Sequence, residues 1–315
     1  LIAFIDEAST LSIDKKILLV SHMELGKEHS DQKSILKYCR ENNIFSNKYE
    51  QVLLNAGLKP HSWNIKTPTE STFRSRSLLF FAAGIYIANK ISPQCQLIVP
   101  ENGTISINIP LDSGRRSSCS TRTTHPTFIK RIQEALYTIG ISNSIYNPYR
   151  LKSKADMVLE CCQDTSKKAI LKSLVDLSCS CAKRGHNVFW DKSGIEIRNA
   201  KIKHCGMCLP CLYRRVALDT IGLDNEALLG TDVLHDIKFN LDNKHQKRNR
   251  DFNALLYFLK NRMNERTIRQ ELFFNGIIEK QELDEYTSLA LHSYRQVINW
   301  LKKKATNEIQ IRAGI

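Results

Sequence analysis

The stretch KHCGMCLPCLYRR, residues 203–215, sets three cysteines at two-residue gaps and leads directly into a basic segment with helical character. Cys205, Cys208 and Cys211 form two overlapping C-x-x-C hairpins. This spacing lets successive thiolates converge on one ion while backbone amides support the sulfurs. The pattern therefore predicts a metal centre that ties a loop to the helix beginning near Leu212.

The spacing alone leaves the metal and its fourth ligand open. A closed zinc site takes four ligands, usually thiolates or imidazoles in a tetrahedron. The first further candidates for the fourth ligand are Cys179 and Cys181 in the run VDLSCSC, and His204 is a less favoured one. Ferredoxins share the C-x-x-C-x-x-C spacing, so an iron–sulfur cluster is the alternative to zinc.

The composition is that of an ordinary globular chain. With 315 residues, 42% hydrophobic and 25% charged, it can bury one large core, or one core plus a smaller domain. No window reaches the roughly 18 unbroken apolar residues of a membrane helix. The apolar start LIAFIDEAST is interrupted by Asp6 and Glu7, unlike a secretory signal. We therefore expect a cytoplasmic protein, where clustered reduced cysteines favour metal over disulfides.

The chain is strongly basic, with 46 lysines and arginines against 32 acidic residues and a net charge of +14. Such a surface attracts nucleic acid, nucleotides or acidic partners, and charge alone does not choose among them. The excess is greatest at residues 243–250 and 301–304. A solvated basic face explains these runs without any ligand.

Short apolar runs alternate with helical patterns along the first two thirds of the chain. Strands are predicted at residues 15–22 and 96–102, and helices at residues 31–43, 71–90 and 125–140. This alternation predicts an α/β fold with a parallel sheet covered by helices on both faces.

From about residue 225 the pattern becomes almost entirely helical. Two apolar stripes stand out, and such stripes usually indicate packing: Phe252, Leu255, Leu256, Leu259 and Met263, then Leu289, Tyr294, Val297, Ile298 and Leu301. The sequence thus predicts an α/β domain at residues 1–224 that includes the metal centre, and a helical C-terminal region at residues 225–315.

Several stretches together resemble a known family. In order they read LLVSH, TFRSRSLLFFAAG, PENGTISINIPL, STRTTHP, NPYRLKSKADMV, LSCS and HCGMCLPCLYRR, and they cover residues 15 to about 224. This order is similar to the 7-cyano-7-deazaguanine synthase (QueC) family, and within it to the QueC-like QatC proteins of bacterial anti-phage operons. The cysteine pattern and KSKADM are the specific parts, and residues 225–315 carry no resemblance.

The resemblance implies a doubly wound parallel sheet of the PP-loop ATP pyrophosphatase type, which is nucleotide α-hydrolase-like. It implies a structural zinc ion held by Cys179, Cys205, Cys208 and Cys211, with Cys181 a bystander. It also implies an ATP-dependent C–N ligase: ATP, with Mg²⁺, adenylates the carboxylate of 7-carboxy-7-deazaguanine, and an amine displaces AMP. The amine is ammonia or, in defence-associated relatives, a protein partner from the operon.

Two groups of residues match the family's nucleotide site. Ser21 and His22 end a strand where the fold meets adenosine, although His22 would serve equally well to cap a loop. Lys154 stands where the family places a lysine near the phosphates, and an ammonium is a compact charge for a developing pyrophosphate. An ordinary lysine at a helix start is the alternative.

A second set of positions matches the family's substrate site. Arg74 and Arg76 open a helix, where cations oppose the helix dipole unless an anion binds there. Glu101 and Asn102 carry the groups that read a guanine-like edge, although PENG is also a common turn.

Arg122, Thr124 and His125 complete the predicted substrate site. They lie in GRRSSCSTRTTHP, residues 114–126, a run rich in hydroxyls and arginines just before a helix. Such a run suits a phosphate or a carboxylate. It departs from the Tyr-Pro-Asp-Cys-Arg run of the small-molecule enzymes.

The family's Ser-Gly-Gly-x-Asp-Ser phosphate loop is not found in these 315 residues, and without it ATP has no cradle of backbone amides. We therefore expect a longer protein whose upstream part carries a strand and this loop, and we expect no ATP turnover by the 315 residues alone. The alternatives are a zinc-stabilised nucleic-acid-binding module and a scaffold without catalysis.

Overall fold

A computed structural model describes residues 1–12, 14–22, 31–54, 76–112, 123–184, 190–235 and 249–315. The contacts divide the chain into two compact units. The first unit comprises Leu1–Pro100, Thr123–Pro148 and Ser166–Ser178, and the second comprises Glu101–Arg122, Tyr149–Thr165 and Cys179–Ile315. None of the helices in the described ranges combines the length and the apolar character needed to cross a bilayer.

The first unit carries the strands, and all of them pair in parallel. Its helices are α1 (Ile2–Thr10), α2 (Asp31–Glu41), α3 (Arg76–Ile91), α5 (Pro126–Thr138) and most of α7 (Thr165–Leu174), and its strands are β1 (Ile17–His22), β2 (Tyr49–Leu54), β3 (Leu97–Ile98) and β4 (Ile145–Tyr146). β1 pairs with β2, and β3 pairs with β4, each as a two-stranded parallel sheet. The predicted α/β class with parallel strands is confirmed.

A cavity of about 600 Å³ in the first unit runs along the edges of β1 and β3. Residues 16–21 line it without a gap, and so do residues 95–98. Because successive side chains of a strand point to opposite faces, lining by every consecutive residue means that the cavity follows the strand edge. Each two-stranded sheet therefore turns one edge toward the same cavity.

The predicted strand at residues 96–102 is shorter than expected. Only Leu97 and Ile98 pair with β4, and Gly103 begins a short helix, α4 (Gly103–Ile107). The Oδ1 atom of Asn102 accepts a hydrogen bond from the Ile105 N–H at 3.1 Å. An asparagine that caps in this way favours the helix start, so PEN is a cap and not the end of a strand.

The second unit is helical. It contains α4, α6 (Lys154–Cys161), α8 (Gly194–Asn199), α9 (Leu209–Asp219), α10 (Arg250–Asn261), α11 (Glu265–Phe274), α12 (Lys280–Lys304) and α13 (Asn307–Ala313). Both predicted apolar stripes are at least half-buried. The sequence predicted a domain boundary near residue 224. One hydrophobic core contains residues from both sides of this position, because residues of α10 and α12 pack in the same core as Cys205, Cys208 and Cys211.

Candidate functional site

Four cysteine thiols converge in the second unit. The Sγ atoms of Cys181, Cys205, Cys208 and Cys211 all lie within 4.8 Å of one another. Three of these residues are fully buried, and Cys181 is half-buried. Four thiols at these separations match the ligand number of a closed tetrahedral centre, so this four-thiol cluster could hold a metal ion.

The backbone around Cys205 forms a tight turn that supports its sulfur. The N–H groups of Met207 and Cys208 both donate to the Cys205 Sγ at 3.3 Å. Gly206 has φ +80°, and a Cβ there would overlap the carbonyl oxygen of Thr231. Only glycine fits this conformation and this close approach, which explains the C-G-x-C order.

The Cys181 sulfur receives the same kind of support. Its Sγ accepts hydrogen bonds from the N–H groups of Lys183 and Cys205, each at 3.3 Å. Amide donors of this kind stabilise a thiolate over a thiol. Cys181 is thus built into the cluster by its backbone as well as by its position.

Helix α9 begins inside the four-thiol cluster. Cys208 is its N-cap, and Pro210 and Cys211 are the second and third residues of the helix. The positive end of the helix dipole stabilises negative charge at these positions. Proline is well tolerated here because the first helical N–H groups have no intrahelical partner.

The thiols of the cluster are electrostatically coupled. Hydrogen bonds from the Cys181 and Cys205 thiols hold the pKa of Cys208 well below its ordinary range. The pKa values of Cys205 and Cys211 are raised, first because of the Cys181 thiol. Crowded thiols cannot all ionise unless a cation compensates their charge, and a metal ion would provide that compensation.

The fourth thiol belongs to Cys181, so the structure exchanges the roles predicted for Cys179 and Cys181. The Cys179 Sγ lies 3.6 Å from the carbonyl oxygen of Lys203. His204 is not part of the cluster either, and its Nε2 accepts a hydrogen bond from the Ser180 N–H at 3.3 Å. Spacing alone could not separate two cysteines that stand two residues apart.

Cys181→Ser should therefore weaken metal binding much more than Cys179→Ser. A serine hydroxyl stays protonated at neutral pH and is a poor zinc ligand, whereas the Cys179 thiol lies outside the cluster. Competition with a chromogenic chelator measures both affinities under one condition. Equal affinities of the two variants, or greater loss in Cys179→Ser, would return Cys179 to the ligand set.

Lys154 and Glu101 lie in the same unit as the four-thiol cluster. Lys154 is the first residue of α6, directly after the N-cap Ser153. Burial lowers the pKa of Lys154, and the Glu101 carboxylate partly offsets this effect. Arg214 lowers it further, whereas Cys208 and Cys211 raise it. The ammonium thus lies within electrostatic reach of a carboxylate, a guanidinium and the four-thiol cluster.

The Asn102 side-chain amide forms hydrogen bonds that hold the local structure. Besides capping α4, its Nδ2 donates to the Glu101 Oε1 at 2.7 Å, and its backbone N–H donates to the same oxygen at 3.1 Å. Asn102 is buried, with only 2% of its surface exposed. Of the predicted PENG pair, Glu101 is therefore the better placed to meet a ligand.

The other predicted residues lie in the first unit or outside the described ranges. Ser21 and His22 are half-buried at the end of β1, where the His22 ring lies 5.8 Å from the Phe80 ring. Thr124 and His125 are buried just before α5. Their ligand roles, with those of three arginines, stay predictions: Arg76 begins α3, and Arg74 and Arg122 lie outside the described residues.

Sequence reasoning missed Arg214 and a polar stripe on α12. Arg214 was visible only as part of the basic run that follows the cysteines. The stripe consists of His292, Ser293 and Gln296, which recur at the spacing of one helix face. Polar side chains on an otherwise buried face were the available signal.

Comparison of the chain with protein-family models, with curated proteins and with solved structures gave no match.

Proposed function

We propose that the protein is a zinc-stabilised, ATP-dependent ligase of the QueC-like kind, which activates a 7-deazaguanine carboxylate and transfers it to an amine. The observation that carries this proposal is that Glu101 and Lys154 stand beside two segments joined by the hydrogen bond from the Gly103 N–H to the Lys152 carbonyl oxygen at 2.8 Å, in the same unit as the four-thiol cluster. An ammonium and a carboxylate on neighbouring segments suit chemistry on a phosphate ester and an amine-bearing heterocycle. The resemblance supplies the substrate class.

Zinc is the ion that we propose for the four-thiol cluster. Four thiolates in a closed tetrahedron are a common structural zinc set. The ion would hold the loop at Cys181 against α9, and the chain's own amides would support the sulfurs. In this proposal the metal stabilises the fold and takes no part in the reaction.

The proposed reaction has two steps. A carboxylate oxygen attacks the α-phosphorus of ATP, the bond to the bridging oxygen breaks, and pyrophosphate leaves. The amine nitrogen then attacks the acyl carbon, the bond to AMP breaks, and the nitrogen loses a proton. A carboxylate is a poor electrophile at neutral pH, so the first step turns its oxygen into part of a good leaving group.

The residues would contribute charge and position. Lys154 would neutralise negative charge that develops on the phosphates, a type of stabilisation that is often the largest single contribution to catalysis. Glu101 would accept hydrogen bonds from the amino and ring N–H groups of the deazaguanine. Mg²⁺ would accompany ATP and share its phosphate charge. Ser21 and His22 would contact ATP, and Arg122 the substrate carboxylate.

The cavity along β1 and β3 supports the expected fold. One further parallel strand between these two edges would join both small sheets into a doubly wound sheet of five strands. In the proposed protein that strand leads into the phosphate loop. The reading frame upstream of Leu1 tests this: a strand followed by Ser-Gly-Gly-x-Asp-Ser is expected, and a stop codon without it would favour a scaffold.

Lys154→Met should lower ligase activity by about 100-fold or more, the usual effect of removing one electrostatic contact to a developing charge. The assay measures AMP formed from ATP with 7-carboxy-7-deazaguanine and ammonia, in the protein extended upstream through its phosphate loop. Lys152→Met is the matched control, because Lys152 lies two residues from Lys154 and pairs with Glu160.

The same assay separates the competing functions. Equal activity of the two lysine variants would remove Lys154 from the catalytic role. No AMP from the unsubstituted protein, together with nucleic-acid binding that weakens steeply with salt, would favour the nucleic-acid-binding module that the net charge of +14 also suits.

A further inference from the structure

One face of α12 contacts two segments, one directly after the proposed substrate residue Glu101 and one that includes the proposed catalytic residue Lys154. Leu289, His292, Ser293 and Gln296 lie on that face, at intervals of three and four residues. The two contacted segments are residues 102–104, which follow Glu101, and residues 153–156, which include Lys154. The resemblance gave this C-terminal helix no role.

At the first segment the contact is close and buried. A Cβ on Gly103 would overlap the Leu289 side chain and the Arg150 carbonyl oxygen, so only glycine lets α12 approach this near. The Thr104 and Ser293 hydroxyls lie 2.7 Å apart, and both residues are buried. Because Ser293 Oγ donates to the Leu289 carbonyl oxygen at 2.8 Å, Thr104 is the donor between them.

At the second segment Gln296 bridges both members of the α6 cap. Its Oε1 accepts from Ser153 Oγ at 2.6 Å, and its Nε2 donates to Asp156 Oδ1 at 2.7 Å. His292 Nε2 lies 2.9 Å from the same Asp156 oxygen. The other Asp156 oxygen accepts from the Ser153 N–H at 2.9 Å, so the cap that precedes Lys154 is fixed from both sides.

The two segments are also joined directly. The Gly103 N–H donates to the Lys152 carbonyl oxygen at 2.8 Å. This bond links residues 102–103, which follow Glu101, to residues 152–153, which precede Lys154. Helix α12 therefore contacts the N-terminal ends of α4 and α6, which already share a hydrogen bond. A side chain at either helix start is positioned in part by α12.

We propose that α12 is a positioning element of the site, with Ser293 and Gln296 as positioning residues that fix Glu101 and Lys154 relative to each other. The catalytic reading of this inference rests on the proposed function. Positioning within a fraction of an ångström decides how effectively fixed charges act in catalysis. The C-terminal helical region would thus be part of the enzyme's active structure.

Two substitutions test the proposal at its two contacts. Gln296→Ala should speed hydrogen exchange at the Ser153 and Asp156 amides by roughly tenfold, because both cap residues lose a hydrogen-bonded partner. Ser293→Ala should do the same near Thr104 and leave the α6 cap unchanged. Asn299→Ala is the matched control, since it removes an amide from an exposed position of the same helix.

The activity arm uses the AMP assay described above. Gln296→Ala should lower kcat by about tenfold with little change in the KM for ATP, whereas a merely structural contact would shift only the melting temperature. Unchanged local exchange and unchanged kcat in Gln296→Ala, or equal effects in Asn299→Ala, would overturn the inference. If the unsubstituted protein forms no AMP while local exchange responds as expected, the proposed function fails. The positioning of the two segments by α12 then remains supported.

Discussion

Cys208→Ser should release the metal and unfold the second unit at ordinary temperature. Structural zinc contributes about 10–16 kcal/mol of apparent binding free energy in small zinc-binding peptides at neutral pH. That is comparable to the whole stability of a typical domain, about 5–15 kcal/mol. Cys208 is fully buried, lies at the start of α9 and shares one core with α10 and α12, so the loss should spread through the unit.

Metal analysis and circular dichroism of the same preparations check this prediction. The unsubstituted protein should contain about one zinc per chain, and Cys208→Ser should contain almost none and lose its cooperative melting transition. Cys95→Ser is the control, because Cys95 lies in the first unit and is not one of the four clustered cysteines. Iron with inorganic sulfide, or a metal-free protein that melts normally, would contradict the assignment of zinc.

Arg215→Leu should destabilise the protein by about 3–5 kcal/mol, the usual effect of breaking a buried ion pair from one side. Arg215 is 2% exposed, and its Nε donates to the Asp224 Oδ2 at 3.1 Å. Its Nη2 donates to the Glu226 Oε1 at 2.6 Å, and its guanidinium lies 5.1 Å from the Trp300 ring centroid. Leucine would leave the buried Asp224 carboxylate without its counter-charge.

The pH dependence identifies the cause. Burial raises the pKa of Asp224 although Arg215 partly offsets it, and removing Arg215 raises that pKa further. A carboxyl group whose folded pKa is raised destabilises the fold above that pKa, and the penalty disappears as the pH falls through it. The difference between Arg215→Leu and the unsubstituted protein should therefore shrink from neutral toward acidic pH.

Urea unfolding at several pH values measures this difference. Arg131→Leu is the matched control, because Arg131 forms an exposed pair with Glu134 at 3.2 Å. Exposed pairs contribute about 0–1 kcal/mol, so the control should lose little stability at any pH. A loss for Arg215→Leu that stays constant with pH would point to packing against Trp300 rather than to the charge of Asp224.

Local patterns in the sequence predicted the elements well and their contacts poorly. The helices over residues 31–43 and 125–140 were predicted because their apolar spacing and their start and stop residues lie within one segment. The strand at residues 96–102 was overestimated, because the capping bond from the Ile105 N–H to Asn102 acts on residues that also suit a strand end.

The candidate site shows the same division. Three of the four clustered cysteines were evident because they stand in one short run, whereas the choice between Cys179 and Cys181 depends on backbone direction after Leu177. The contacts of α12 were out of reach for a simpler reason. Thr104 contacts Ser293, and Asp156 contacts His292, although each pair is separated by more than a hundred residues of chain. The local sequence around each residue does not indicate which distant residue it contacts.

Among the described residues, the β1 and β3 edges along the cavity pair with no further strand, and this bears on how the 315-residue chain behaves at high concentration. An apolar strand edge is a template on which the extended segment of another molecule can add. The net charge of +14 opposes such encounters by mutual repulsion. Salt screens that repulsion, with a Debye length of about 10 Å at 0.1 M, and leaves the edge chemistry unchanged. The chain should therefore remain dispersed at low ionic strength and associate through its β edges as salt is added.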